Sequence, residues 1–214
     1  MCSSDLKLRE MFDFVALAQQ CAPAVHQDTM RRIVHVESSF NPYAIGVVNG
    51  RLDRQPRNKD EAIATAQWLE AKGFNYSVGL AQVNKHNFQK YGLTLETAFE
   101  ACPNLYAGGE ILKECFVRAN KRTQNEQAAL RDAFSCYYSG NFITGHREGY
   151  VLKVVSSNGG SGQLRQAAPT VVAQSVTAPI NHKTLYTVKS QLAQTSAVDG
   201  EGDMSSSSNS ALLF

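Results

Sequence analysis

The sequence predicts a mainly α domain with minor β content (α+β), followed by a disordered C-terminal tail. Three observations carry this. Apolar residues recur at helical spacing through most of the first 155 residues. Capping signals bracket those stretches. The composition then shifts sharply near residue 156. Residues 156–214 hold eleven Ser, only Tyr186 and Phe214 as aromatics, and six charges. That is too little apolar surface to offset chain entropy. The expected division is a folded domain over 1–155 and a Ser/Gly/Ala-rich tail over 156–214.

Residues 6–20 form the first expected helix, burying Leu6, Phe12, Val15 and Leu17. Asp28 or Thr29 caps a second helix that runs to about Ser38. Asn58 begins an N-x-x-E string to Glu61, a capping-box start, and that helix stops at Gly73. Pro103 and Asn104 open a helix carrying Leu105, Gly108, Leu112, Cys115 and Ala119 at helical spacing. Thr123-x-x-Glu126 starts another, which ends at Gly140. A last helix covers 144–155, with Tyr150, Val151 and Val154 on one side. Strand-like alternation is weak, with short pieces expected only at 44–48 and 51–53. Within the tail, 184–192 is the one stretch able to form a transient element or dock on a partner.

Hydrophobic residues make up 43% of the 214, and the net charge is +2. No basic run of the kind that tracks phosphates is present, so no nucleic-acid partner is expected. No stretch reaches the ~18 apolar residues of a membrane span. The start, with Lys7 and Arg9 followed by Glu10 and Asp13, lacks the apolar core of ~7–15 residues that an export signal uses. Five cysteines occur, none in a C-x-x-C pair, so zinc and redox motifs are not expected. Cys21, Cys102, Cys115 and Cys136 lie in the domain, either as two disulfides or as four buried thiols. Cys102 with Cys115 is the least favoured pair. On one helix they would stand roughly 18–20 Å apart, against the roughly 7 Å a disulfide tolerates.

The chemistry centres on the second helix. Met30, Ile33, Val34 and Glu37 fall at i, i+3, i+4 and i+7, the spacing of one buried stripe. A carboxyl in line with an apolar face is costly to ionise, and desolvation keeps it protonated nearer neutral pH. A general acid needs that state. Position alone favours a Glu that pairs with a core Arg or bonds a loop backbone. The surrounding letters add to it. Glu37-Ser38-Ser39-Phe40-Asn41-Pro42-Tyr43-Ala44 resembles the first motif of the soluble lytic transglycosylase family. Gly79-Leu80-Ala81-Gln82-Val83 resembles the second, Asn104-Leu105-Tyr106-Ala107-Gly108 the third, and Tyr137-Tyr138-Ser139-Gly140 the fourth. All four stand in the family order across residues 10–155. Tyr138 stands where the family pattern has Asn. The long 45–77 insert, LAQQCAP near the start and the cysteine set are most similar to the transglycosylases attached to type IV secretion systems.

The resemblance implies a lysozyme-like fold, with two helical lobes flanking a substrate cleft. It implies cleavage of peptidoglycan at the N-acetylmuramic acid–N-acetylglucosamine bond, closing a 1,6-anhydro ring. Glu37 would be the catalytic acid and base. Tyr137 would aim its hydroxyl at that acid, or serve only as core. Gln82 would bind a sugar or stem-peptide amide, or make a helix-start hydrogen bond. Ser38 would bond Glu37 or the sugar, or cap the helix end. Asn104 would contact substrate or, with more weight on structure, cap the following helix. Gly108 would permit close helix–helix approach. Asp53 and Asp60, the candidate second acids, read as solvated. His35 points about 200° away from Glu37 around the helix. Trp68 and the Tyr/Phe set either line a sugar cleft or fill the core. No metal or organic cofactor is implied. The implied partners are peptidoglycan glycan strands and, through the tail, type IV secretion channel proteins, with the periplasm as the site of action.

Overall fold

A computed structural model describes residues 14–159. The 6–13 part of the helix expected over 6–20, Cys2 and nearly all of the 156–214 tail lie outside the described residues.

The described chain is mainly helical with one small sheet. Helix α1 covers residues 14–21 of the described part. Helix α2 spans Gln27–Ser38, and its cap is the ring of His26, which accepts from the Asp28 N–H. Neither Asp28 nor Thr29 caps it. Asp28 sits in the first turn and spends its carboxylate on Arg31 and Arg32, where an acid also suits the helix dipole. Strand β1 (Ile45–Val47) follows, then α3 (Lys59–Ala71). The Asn58 side chain accepts from the Glu61 N–H, as its sequence signal predicts.

Strands β2 (Tyr76–Val78) and β3 (Val83–Asn84) complete an antiparallel sheet in the order β1-β2-β3. Ile45 pairs with Val78, which pairs in turn with Val83. Residues 51–53 form no strand. Three short 3-10 turns lead to α4 (Ala101–Asn120), which starts before Pro103 with Glu100 at its cap. Helix α5 (Glu126–Ser139) is capped by Asn125 rather than Thr123, whose hydroxyl instead accepts from the Asn125 N–H. It ends at Gly140, in the left-handed conformation that glycine adopts without strain. The helix expected at 144–155 is two pieces, α6 (Thr144–Arg147) and α7 (Tyr150–Ser156). Gly149, at φ 76°, turns the chain between them.

Two apolar clusters share α2. Met30 and Val34 pack with α1, α3, the sheet and the first half of α4. Ile33 packs with Leu112, Phe134, Tyr150, Val151 and Val154 from α4, α5 and α7. Each such buried side chain contributes about 1.5–3 kcal/mol by leaving water. The helix carrying Glu37 is thus the shared wall of two lobes, which holds its end in place from both sides. Disulfides Cys21–Cys102 and Cys115–Cys136 tie α1 to α4 and α4 to α5. After α7 the chain remains against α2. Arg32 donates to the carbonyls of Val155 and Ser157, and His35 Nδ1 lies 2.9 Å from Ser157 Oγ.

Candidate active site

Glu37 is the second-last residue of α2, and the chain turns sharply just beyond it. Ser39 and Phe40 both adopt left-handed backbone, at φ 48° and 61°. This is uncommon for side-chain-bearing residues and costs on the order of 1–2 kcal/mol at each. Packing holds the turn: the buried Phe40 ring meets Phe14 edge-on at 5.1 Å.

The Glu37 side chain is completely buried. Oε1 accepts a hydrogen bond from the hydroxyl of Tyr150, and Oε2 has no partner among the described residues. Burial pushes the carboxyl from an ordinary 4.5 up to about 8, and the Tyr150 hydrogen bond partly opposes this. At neutral pH the acid therefore holds its proton while its free oxygen is uncommitted. Burial and the neighbouring Glu37 charge raise the Tyr137 and Tyr150 hydroxyls well above their usual range. Both remain neutral donors.

All four sequence motifs converge on one turn, residues 79–82, between β2 and β3. Ser38 Oγ donates to Leu80 O at 2.8 Å and to Val34 O at 3.1 Å, so it bonds backbone and not Glu37. Asn104 lies inside α4 and does not cap it. Its amide accepts from the Ala81 N–H and donates to Val78 O and Ala98 O, at 2.8–2.9 Å. Tyr137 donates to Ala81 O at 2.5 Å. It senses the Glu37 charge without bonding it; the orienting hydroxyl comes from Tyr150. Gly108 makes room for this turn and for neighbouring helices: a Cβ there would lie 2.5 Å from Ala81 Cβ, 3.1 Å from the Tyr137 hydroxyl of α5 and 3.3 Å from Met30 Cε of α2. Gly79, at φ 79°, is closed in too, with a Cβ falling 2.3 Å from Asn104 Nδ2.

Gln82 also has left-handed backbone, at φ 45°. Its Nε2 donates to Ala44 O and Gly79 O, each at 3.0 Å. Those two carbonyls fix the amide orientation, and Oε1 is left buried with no partner among the described residues. Gln82 borders a cleft of about 280 Å³. A buried acceptor left unmade costs about 1–3 kcal/mol, so it favours an N–H or O–H from a ligand. The cleft lies between the sheet side and the α4/α5 side, and Tyr91, Glu114, Arg118, Tyr137 and Tyr138 border it. Tyr138 bonds Glu148 and stacks on Tyr150 at 4.6 Å between ring centres. The residue that departs from the family pattern thus supports the tyrosine that holds the acid.

Replacing Asn104 by Ala strands three buried backbone groups around the turn. We expect a stability loss of about 3 kcal/mol or more, read from urea unfolding midpoints at constant m. An unchanged midpoint would show that the turn stands without it.

Other candidates separate from the site. Asp53 and Asp60 are exposed. His35 Nδ1 contacts Ser157 Oγ at 2.9 Å. Trp68 stacks on Phe74 and does not border this cleft. Among the described residues no group of His, Cys, Asp and Glu could hold a metal ion, and no helix is long and apolar enough to cross a membrane.

Glu37 itself does not border the cleft; Tyr137 and Tyr138, which do, feel its charge. A buried acid at a helix end, with a neutral tyrosine on one oxygen, suits acid–base work. The model of the transglycosylase SLT domain family matches residues 14–168, and the chain belongs to that family. Among relatives, the type IV secretion system protein virB1 of Brucella suis biovar 1 (strain 1330) is 58% identical over 153 residues, covering 69% of this chain and 64% of that protein. The protein virB1 of Agrobacterium tumefaciens (strain 15955) is 37% identical over 156 residues, covering 72% and 64%. The chain thus spans just under two thirds of the length of these relatives. No solved structure matches it.

Proposed function

We propose that the chain is a lytic transglycosylase that cleaves peptidoglycan strands between N-acetylmuramic acid and N-acetylglucosamine, acting in the periplasm to open the wall for a type IV secretion channel. One observation carries the chemistry: Glu37 is buried, protonated near neutrality and free at Oε2. Glu37 gives its proton to the glycosidic oxygen as the C1–O bond breaks, so the N-acetylglucosamine leaves with a 4-hydroxyl. The muramic C6 hydroxyl then attacks C1, and the Glu37 carboxylate takes its proton. Two carboxylates flanking the bond are the usual need of hydrolysis. Here the one carboxylate that borders the cleft among the described residues, Glu114, is occupied by Lys90 and Tyr91.

The glycosidic oxygen must come within about 3 Å of Oε2. Tyr137 and Tyr138, which border the cleft and feel the Glu37 charge, therefore shift as sugar enters. Gln82 Oε1 takes a sugar or stem-peptide N–H. Ser38 and Asn104 shape the site through the 79–82 turn. The secretion role follows the similarity to a type IV secretion system protein of Brucella, and the 156–214 tail is the segment we assign to docking on channel proteins.

Mass spectrometry of digested wall tests the reaction. The expected muropeptides are lighter by one water than hydrolysed ones. Products of hydrolytic mass would make the chain a muramidase instead. Intact wall would leave it a binding module.

A further inference from the structure

We propose that Arg118, at the edge of the cleft, receives a carboxylate carried on the muramic acid substituent. The site would then select strands bearing that charge over neutral sugar polymers. The proposal rests on the reading of the cleft as a peptidoglycan site.

The charged side chains that border the cleft are Lys90, Glu114 and Arg118. Lys90 and Glu114 neutralise each other, and Tyr91 also donates to Glu114 at 3.1 Å. Arg118 is left with weak partners. One nitrogen lies 3.7 Å from Cys136 Sγ, and another lies 3.5 Å from Gly140 O. Among the described residues no carboxylate pairs with it, and its charge is the smallest of the influences on Glu114. Sulfur is a poor acceptor and the carbonyl contact is long, so most of its five N–H donors stay available. Its guanidinium lies 5.3 Å from the centre of the Phe142 ring, and that of Arg122 lies 4.7 Å from the same ring. The platform holds the planar fork in place, and such a fork matches a carboxylate through two parallel hydrogen bonds.

Muramic acid supplies that chemistry from two sources. Its lactyl group is a free carboxylate on peptide-free strands. On intact strands the lactyl is amide-bonded, and the stem peptide brings carboxylates of its own. Glucosamine polymers have neither.

The test compares wild type, Arg118→Gln and Arg118→Lys on three ligands: peptide-bearing strands, amidase-stripped strands, and an N-acetylglucosamine oligomer. Cleavage kinetics read the strands, and calorimetry reads binding of all three. For Arg118→Gln, KM on the recognised strand should rise about tenfold, the effect of one exposed charge-assisted contact, with kcat nearly unchanged. Oligomer binding should not change, Arg118→Lys should recover part of the loss, and added salt should shrink the wild-type advantage. A loss confined to peptide-bearing strands identifies the peptide carboxylates; a loss confined to stripped strands identifies the lactyl. Equal loss on all three ligands, or no loss on any, overturns the proposal. If wild type cleaves no strand, the proposed reaction fails separately, and calorimetry still decides whether Arg118 distinguishes charged from neutral ligands.

Discussion

Replacing Glu37 with glutamine should reduce strand cleavage by at least about a thousandfold, because one side chain serves as both acid and base. The same change should make the fold more stable as pH rises. Burial holds the native carboxyl at about 8, against an ordinary 4.5. Below pH 4.5 both folded and unfolded chains keep the proton, and the group does not tilt the balance. Between 4.5 and 8 only the folded chain keeps it, so wild-type stability falls as pH rises. The loss by pH 8 is on the order of 4 kcal/mol, after which it levels off. Glutamine does not titrate, so the variant's advantage should grow over that window. Urea unfolding of both proteins at pH 5, 7 and 9 measures it. Parallel stability curves would mean that Glu37 is ionised in the fold, and the acid mechanism would fail with them.

Tyr150→Phe is the second large effect. The Tyr150 hydroxyl is the only hydrogen bond to Glu37 among the described residues, and it opposes the rise in pKa that burial causes. Its loss should slow turnover roughly ten- to a hundredfold, the worth of a hydrogen bond to a charged group. It should also move the alkaline limb of the rate profile above its wild-type position near 8. A purely packing role would lower the rate without moving that limb. The pH–rate profiles of both proteins make the distinction.

Much of this site was legible in the letters, for reasons that can be traced. The burial of Glu37 is legible in the i, i+3, i+4, i+7 stripe it shares with Met30, Ile33 and Val34, all four buried, while its role as the acid rests on the motif that follows it. The Asn58 cap and the Gly140 stop rest on local backbone chemistry, which neighbours four residues apart decide. The sheet was largely illegible because its strands are three, three and two residues long, too short for alternation to register. Tyr150 was read only as one member of an apolar helix face. A phenol on a buried stripe needs a partner for its hydroxyl, and that requirement was the available signal. Which partner it finds depends on α7 meeting α2, a contact between residues 113 positions apart. Tyr137 and Asn104 are assigned to the site, yet their bonds go to backbone in and beside the 79–82 turn, and spacing carries no information about that choice.

Because side chains from α2, α4 and α5 all lean on one four-residue turn, substitutions at Ser38, Asn104, Gly108 and Tyr137 will not add. Each removes part of a support the others share, so the first loss takes most of the effect and later ones find little left. Epistasis of this kind binds distant stretches of the chain into one inherited unit. A new side chain at any of these positions is tolerated only where the loop it touches has already moved to meet it.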